Sequence, residues 1–554
     1  MEIQIRMISF RQSFAALLFL LALCSRAGVA QTPVLVKDVN PSGDAFTGYN
    51  WFANVNGTLF FNAYDGTGGQ MLWKSDGTDS GTVFVKDIYP GGSSGLKQFF
   101  SVNGLLLFQA NDGVHGYELW RSDGTESGTV MVKDIRAGAN GSDLTLGAVS
   151  NGKLFFSATD GVNGYELWAS DGTDTGTVMV KDINAGAANG SPTNIVAVNG
   201  LVYFCGDNGS SGAELWKSDG TPQGTLLVKD VNPGAASSIP RSGANVNGTY
   251  YFCATNASQI QLWKSNGSDT GTVMLKTGFF TTLTWLTDVN GTLFFNGLTG
   301  TNGQELWKSD GTPGGTVIVK DNLAGSTLPT NMVNVNGTLF FQGYGSAATG
   351  YELWKSDGTD GGTGQVKDIY AGSGSGGPTN LVSLGGIAYF WAADSAHGIE
   401  LWKSDGTDGG TVLIQDFSPG FMSSNVSSFT NVNGTLFFSA AGGPEGSELW
   451  KLVPGTTAVA GPPGSLPARF TVAQNYPNPF NPSTTIRYAL PSAAYVTVTV
   501  YNMLGQAVAT LADGLQDAGA KSVVFDARGL ASGMYTYRIT AGGLTDVRKM
   551  LVLK

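Results

Sequence analysis

The sequence predicts an all-β protein: a β-propeller of nine four-stranded blades, with eight as the alternative, closed by an N-terminal outer strand and followed by a C-terminal immunoglobulin-like β-sandwich. Three observations predict it. A Leu-Trp pair recurs at Trp73, Trp120, Trp168, Trp216, Trp263, Trp307, Trp354, Trp402 and Trp450, at spacings of 47, 48, 48, 47, 44, 47, 48 and 48 residues. A period in the forties with several short apolar runs per repeat is a propeller signature. Glycine supplies 80 of the 554 residues while charged residues make up only 13%, a balance that favours turn-rich β structure. The 30 Phe, 18 Tyr and 12 Trp are far too much aromatic material for a disordered glycine-rich chain, so packed cores are available.

Residues 1–30 read as a signal peptide: Arg6 and Arg11 precede an apolar run from Phe14 to Leu23, and Gly28-Val29-Ala30 supplies small residues for cleavage before Gln31. The run is too short to span a bilayer, and no other stretch approaches 18 consecutive apolar residues, so no transmembrane segment is expected in the mature chain. Cys24 would be the lipidation site of a lipoprotein, but Leu21 stands where a lipobox-like sequence has a small residue.

Residues 31–453 carry the repeat. The unit from Phe99 to Ile135 contains four candidate strands, FFSV, LLLFQA, YELWRS and TVMVKDI, each of β-type length and composition. Asn103-Gly104 joins the first two, and Asn-Gly between apolar runs is the strongest short hairpin signal because a type I′ turn needs positive φ at both central residues. It recurs at Asn56, Asn151, Asn199, Asn247, Asn290, Asn336 and Asn433, with Gly385-Gly386 in the eighth unit. The longest connection in each unit follows the VKDI strand, so it is expected to cross between blades. The array stops one strand short after Glu448-Leu449-Trp450, while Val34 to Val39 forms a lone strand of the outer type. Pairing the two completes the last blade and hides its edge. The unit around Trp263 is the most divergent, with Ser265-Asn266-Gly267-Ser268 in place of SDGT.

Residues 454–469 are rich in Pro, Gly, Ala and Thr and read as a linker. From 470 to 554 short β-type runs, among them TTIRYAL, YVTVTVYN and MYTYRIT, suggest a sandwich of about seven strands. Within it, Asn475, Pro477, Asn478, Pro479 and Phe480 form an NYPNPF segment; Gly505 lies in YNMLGQ, Gly533 and Tyr535 in LASGMY, and Lys549 in the terminal RKMLVLK. In order and position these segments resemble the C-terminal sorting domain of type IX secretion. The resemblance implies a Bacteroidota-type Gram-negative bacterium, handling by the type IX secretion machinery, and release or attachment at the cell surface. The repeats resemble those of the ELWxxDGT repeat proteins, which implies architecture and no particular activity.

A net charge of -11 and a pI near 4.7 disfavour binding to phosphate backbones, so nucleic acid is not an expected partner. The nine Leu-Trp tryptophans are read as a packing device between blades, similar to the docking tryptophans of quinoprotein propellers. The repeated Asp of SDGT and DG and the Glu of ELW would be Ca²⁺ ligands if several converged; turn formation is the simpler reading, since Asp favours its own Asx-turn before Gly. His115 and His397 sit in equivalent loops and are read as surface residues. Cys205 and Cys253 occupy equivalent positions in consecutive repeats, where strands diverge too far for a comfortable disulfide. No catalytic motif and no cofactor site emerge. The function expected is a non-enzymatic scaffold for binding or adhesion to an extracellular glycan or protein, through the face carrying the DGxxG and interblade loops. The alternative is a secreted glycan lyase or hydrolase with a carboxylate pair in the propeller channel.

Overall fold

An Asn-Gly hairpin requires left-handed backbone at both residues, and in the computed structural model Asn103 and Gly104 have φ of 50° and 83°. The structure describes residues 31–553 except 257–258, 301–302, 322–325, 421, 425–426, 443–445, 454–469, 473–474, 476–477, 479 and 481. The signal peptide, Cys24, the 454–469 linker, Pro477 and Pro479 therefore lie outside the described residues. Two compact units emerge, Thr32–Val453 and one within Pro454–Lys554.

Around Trp120 the chain folds as an antiparallel meander of Lys97–Val102, Leu105–Asn111, Tyr117–Ser122 and Val130–Lys133. The second strand is apolar at successive positions because both of its faces are buried. Its register is constant along the array: Phe108 stands opposite Trp120, and the same Phe–Trp pair recurs from Phe61↔Trp73 to Phe438↔Trp450. The fourth strand is shorter than the VKDI pattern predicts. It ends at Lys133 because the Ile135 N–H turns away from the ladder to a side-chain carboxylate, 3.1 Å distant.

Between Thr32 and Val453 the described residues form seven four-stranded sheets and one of eight strands. The larger sheet arises in the divergent unit, whose last strand runs on as Val273–Phe279 and meets the next unit through the single pair Phe279↔Thr299. No individual sheet closes on itself. Adjacent units touch instead through their first strands, and Phe52–Val55 of the first unit lies against Ser427–Val432 of the last. The N-terminal strand Thr32–Lys37 pairs antiparallel with Ser447–Val453, setting Leu35 opposite Trp450, and takes the fourth place in that sheet.

The core is a series of apolar layers between neighbouring units. Val102, Leu107 and Leu119 of one unit pack with Leu154, Phe156 and Trp168 of the next. Trp73 shares its layer with Val36, Val39, Phe437 and Leu449, residues from the two ends of the array.

The C-terminal unit has a three-stranded sheet of Thr471–Val472, Ser483–Leu490 and Gly519–Asp526 and a four-stranded sheet of Ala507–Gln516, Ala494–Tyr501, Gly533–Ala541 and Leu544–Val552. Ile486, Tyr488 and Phe525 of one sheet share a core with Val498, Tyr537, Ile539 and Met550 of the other. Among the described residues no helix is long and apolar enough to cross a membrane.

Candidate functional site

A site on a repeat protein has to be separated from the polar groups that every repeat uses to hold itself together. The SDGT turns belong to the framework. Asp123 Oδ1 accepts from both the N–H and the hydroxyl of Thr125 at 2.8 and 2.7 Å, and the Ser122 and Thr129 hydroxyls bond at 2.7 Å. These bonds to the charged form hold the Asp123 carboxyl below its usual range. Even the divergent SNGS turn keeps the scheme, with Asn266 accepting from Ser268 and Ser265 paired with Thr272.

The ELW glutamates also face inward. Glu118, Glu166, Glu214, Glu305, Glu352, Glu400 and Glu448 are fully buried. Each of six takes a backbone N–H from the chain leaving the fourth strand: Ile135, Ile183, Val231, Ile369, Phe417 and, for Glu448, Val39 of the N-terminal segment. Glu305 accepts from the Thr327 hydroxyl. A second arm reaches the loop beyond, where Gly190 N donates to Glu166 Oε1 at 2.7 Å. Gly190 comes so close that a Cβ there would lie 2.4 Å from the Glu166 carboxylate. Burial, opposed by the amides, pushes Glu118, Glu166 and Glu400 up to about 7 and Glu448 to about 8. The glutamate is thus a clasp for the interunit loop. Among the described residues no three of His, Cys, Asp and Glu converge as a metal site.

Eight of the nine repeat tryptophans are 4–8% exposed, and Trp450 is half-buried. Trp73, Trp216, Trp263 and Trp307 stack on the Phe opposite them at 6.2–6.4 Å between centroids. The indole N–H of Trp307 and of Trp450 reaches a carbonyl of the neighbouring strand at 3.2 Å. Cys205 and Cys253 are buried free thiols. His115 and His397 each hold an Asp three residues earlier through Nδ1, to Asp112 at 2.7 Å and Asp394 at 2.8 Å. That hydrogen bond raises both imidazoles above their ordinary pKa.

Against this repeated background a few exposed side chains stand out. The first strand of most units carries a bulge near its start, and the second residue of that strand has positive φ: Gln98, Asn194, Ser242, Asn331, Asn380 and Ser428 at 52–62°. Asn is among the residues that tolerate this region best. In the Trp307 unit the residue is Trp285, at φ 58° and 44% exposed. Phe280, five residues earlier, is 68% exposed. Arg241, which begins the first strand of the adjoining unit, donates from Nε to the Thr282 hydroxyl at 3.0 Å, tying its guanidinium to the same loop. None of these residues is among the candidates drawn from the sequence, although aligning the second residue of each first strand picks out Trp285 at once.

In the C-terminal unit the described sorting-motif residues are brought together from both ends. Asn475 is buried, donates its backbone N–H to the Tyr537 hydroxyl oxygen at 2.9 Å and donates from Nδ2 to the Thr484 hydroxyl. Asn478 Oδ1 accepts from Leu551 N at 2.8 Å, and Phe480 exchanges backbone hydrogen bonds with Leu551 and Leu553. Lys549 lies in the strand that receives them, its carbonyl within 3.5 Å of Asn478 Nδ2. Tyr535 donates to Ala531 O at 3.1 Å, Gly533 begins the strand Gly533–Ala541, and Gly505 adopts φ 76° in a hairpin turn.

Residues 474–553 match the secretion system C-terminal sorting domain family. The protein is accordingly a secreted or cell-surface protein of a Bacteroidota bacterium, handled by the type IX secretion machinery. No curated protein matches the chain. Among solved structures, the chain is 14% identical to puromycin hydrolase, covering 63% of this chain and 59% of that one at a TM-score of 0.32. It is 13% identical to PorZ, a surface component of the type IX secretion system of Porphyromonas gingivalis, covering 91% and 75% at 0.31. The β-propeller domain of the Trilobed protease from Pyrococcus furiosus is 10% identical, covering 67% and 99% at 0.32. The chain spans only 54–59% of the length of the puromycin hydrolase and prolyl endopeptidase structures. These low scores carry no argument about function. With peptidases and hydrolases among the neighbours, the expectation of a non-enzymatic protein is withdrawn.

Proposed function

We propose that this type IX-exported propeller is a nine-bladed ring of ELWxxDGT repeats that captures an extracellular ligand, preferably a glycan, at the Trp285 cluster. Nine Phe–Trp registers and the contact between the first and last units support the blade count. The observation that carries the binding site is Trp285. A bulky aromatic at positive φ is conformationally costly, and here the residue stays 44% exposed while other units place Asn, Ser or Gln at that position. Neither the backbone nor the core gains from it. An exposed indole is a stacking platform for the apolar face of a sugar ring, Phe280 offers a second, and Arg241 adds hydrogen-bond donors.

A glycan array run with the full-length protein and its Trp285→Asn variant, alongside glycan hydrolase, lyase and peptidase assays, tests the reading. Stable capture lost in the variant is the expected result. Equal capture by both proteins, or capture by neither, overturns it.

A further inference from the structure

We propose that the Met503-Leu504 turn of the sorting domain is an anchor that enters an apolar pocket of the secretion machinery. The turn joins the strands Ala494–Tyr501 and Ala507–Gln516 at one end of the four-stranded sheet. Its two apices are Met503, 72% exposed, and Leu504, 83% exposed. Neither belongs to the core of the unit. Folding therefore gains no apolar burial from them, and turn tips ordinarily carry polar residues or glycine. The other hairpin of the same sheet follows that rule, turning on Gly542-Gly543.

The backbone under the two side chains is held fast. Asn502 Oδ1 accepts from the N–H groups of Leu504 and Gln506, both at 3.0 Å, and Asn502 Nδ2 donates to Gln506 Oε1 at 2.9 Å. Two backbone bonds close the turn, Gly505 N to Asn502 O and Asn502 N to Gln506 O, each 3.0 Å. Gly505 supplies the left-handed residue at φ 76°. A rigid turn that displays two flexible apolar side chains is preorganised for docking, since little ordering entropy remains to be lost on binding. The occupant of the pocket follows from where the turn lies: inside residues 474–553, the segment that matches a sorting domain, whose handling partner is the translocation apparatus. The inference rests on that sorting role.

The test is export of the full chain in a type IX-competent host, read by fractionation, with purified protein melted in parallel. Met503→Ser/Leu504→Ser should lower surface and medium protein by roughly tenfold or more, the loss expected of a hydrophobic anchor, with melting unchanged. Asn502→Ala, which keeps the side chains and loosens their support, should fall between. Deletion of residues 470–554 separates the two claims. Export blocked by the deletion but normal in the double variant overturns the anchor; normal export of the deletion overturns the sorting role itself. Should the double variant melt lower, Leu504→Met must export normally and Leu504→Gln must not, and equal export of those two overturns the anchor.

Discussion

Lys451 donates from Nζ to the carbonyl oxygen of Gly77, linking the last ELW strand to the first SDGT turn. The same bond ties three other units to their successors, Lys217 to Gly267, Lys308 to Gly358 and Lys355 to Gly406 at 2.7–2.8 Å. The outer strand of the last unit repeats the scheme. Lys37 pairs with Asp79 at 3.0 Å as Lys133 pairs with Asp174 at 3.1 Å, so the last unit treats the first as its neighbour.

Closure by the N-terminal strand has a measurable consequence. Deleting Val34 to Val39 removes the pairing with Ser447–Val453 and leaves the Glu448 carboxylate without the Val39 amide, 2.6 Å away. The deletion should lower the melting temperature and promote oligomers through the bared edge. Glu448→Ala, which strands one buried donor, should cost about 1–3 kcal/mol without oligomerisation. A deletion that changes neither melting nor oligomeric state would refute closure.

The buried glutamates make stability depend on pH in a defined direction. Their folded pKa values, about 7 for Glu118, Glu166 and Glu400 and about 8 for Glu448, lie above the ordinary carboxylate value near 4.3. The folded state therefore holds protons that the unfolded state has released, so this contribution is complete below about pH 4 and fades as pH rises through 7 to 8. Melting should occur at lower temperature at pH 8.5 than at pH 5.5. Replacing Glu118, Glu166 and Glu400 with Gln, the residue found at Gln261 in the divergent unit, should flatten the profile.

The tryptophans divide by burial. Trp168→Ala opens a cavity in the layer shared with Leu107 and Leu119 and should destabilise by about 3–5 kcal/mol. Trp450→Ala, at a half-buried position beside the N-terminal strand, should cost less. Denaturant unfolding of the two variants compares them directly.

Features set inside one unit were legible in the sequence: the Asn-Gly turns and the SDGT turns follow from spacing and turn chemistry. The partner of Trp120 was less so, because Phe108 is one of several apolar residues in LLLFQA until the register is known. The role of Glu118 was not legible, since the sequence offers only turn formation or Ca²⁺ binding for the ELW glutamates. Its burial depends on a loop 24 residues downstream folding back over it, where Ser142 donates to its carboxylate, and no local pattern announces that return.

Truncation after Val453 should leave the region Thr32–Val453 folded, because it is a compact unit with apolar layers of its own. Its melting transition should match that of the same region in the full chain. A truncated protein that aggregates or melts much lower would show that the sandwich is structural.

Trp285 offers the sharpest separation between stability and binding. Its equivalents Asn194, Asn331 and Asn380 occupy the same bulge at φ 52–53°, so Trp285→Asn introduces a residue that tolerates the left-handed region. The substitution removes a side chain that is 44% exposed. Folding should be unchanged or more stable by up to about 1 kcal/mol, while ligand capture is lost. Arg241→Gln should weaken capture less, since its guanidinium also secures the loop through Thr282, and should lower the melting temperature slightly. Paired melting and binding measurements on the two variants decide the matter: a Trp285→Asn protein that is less stable and binds normally would make the tryptophan a structural residue and move the ligand site elsewhere.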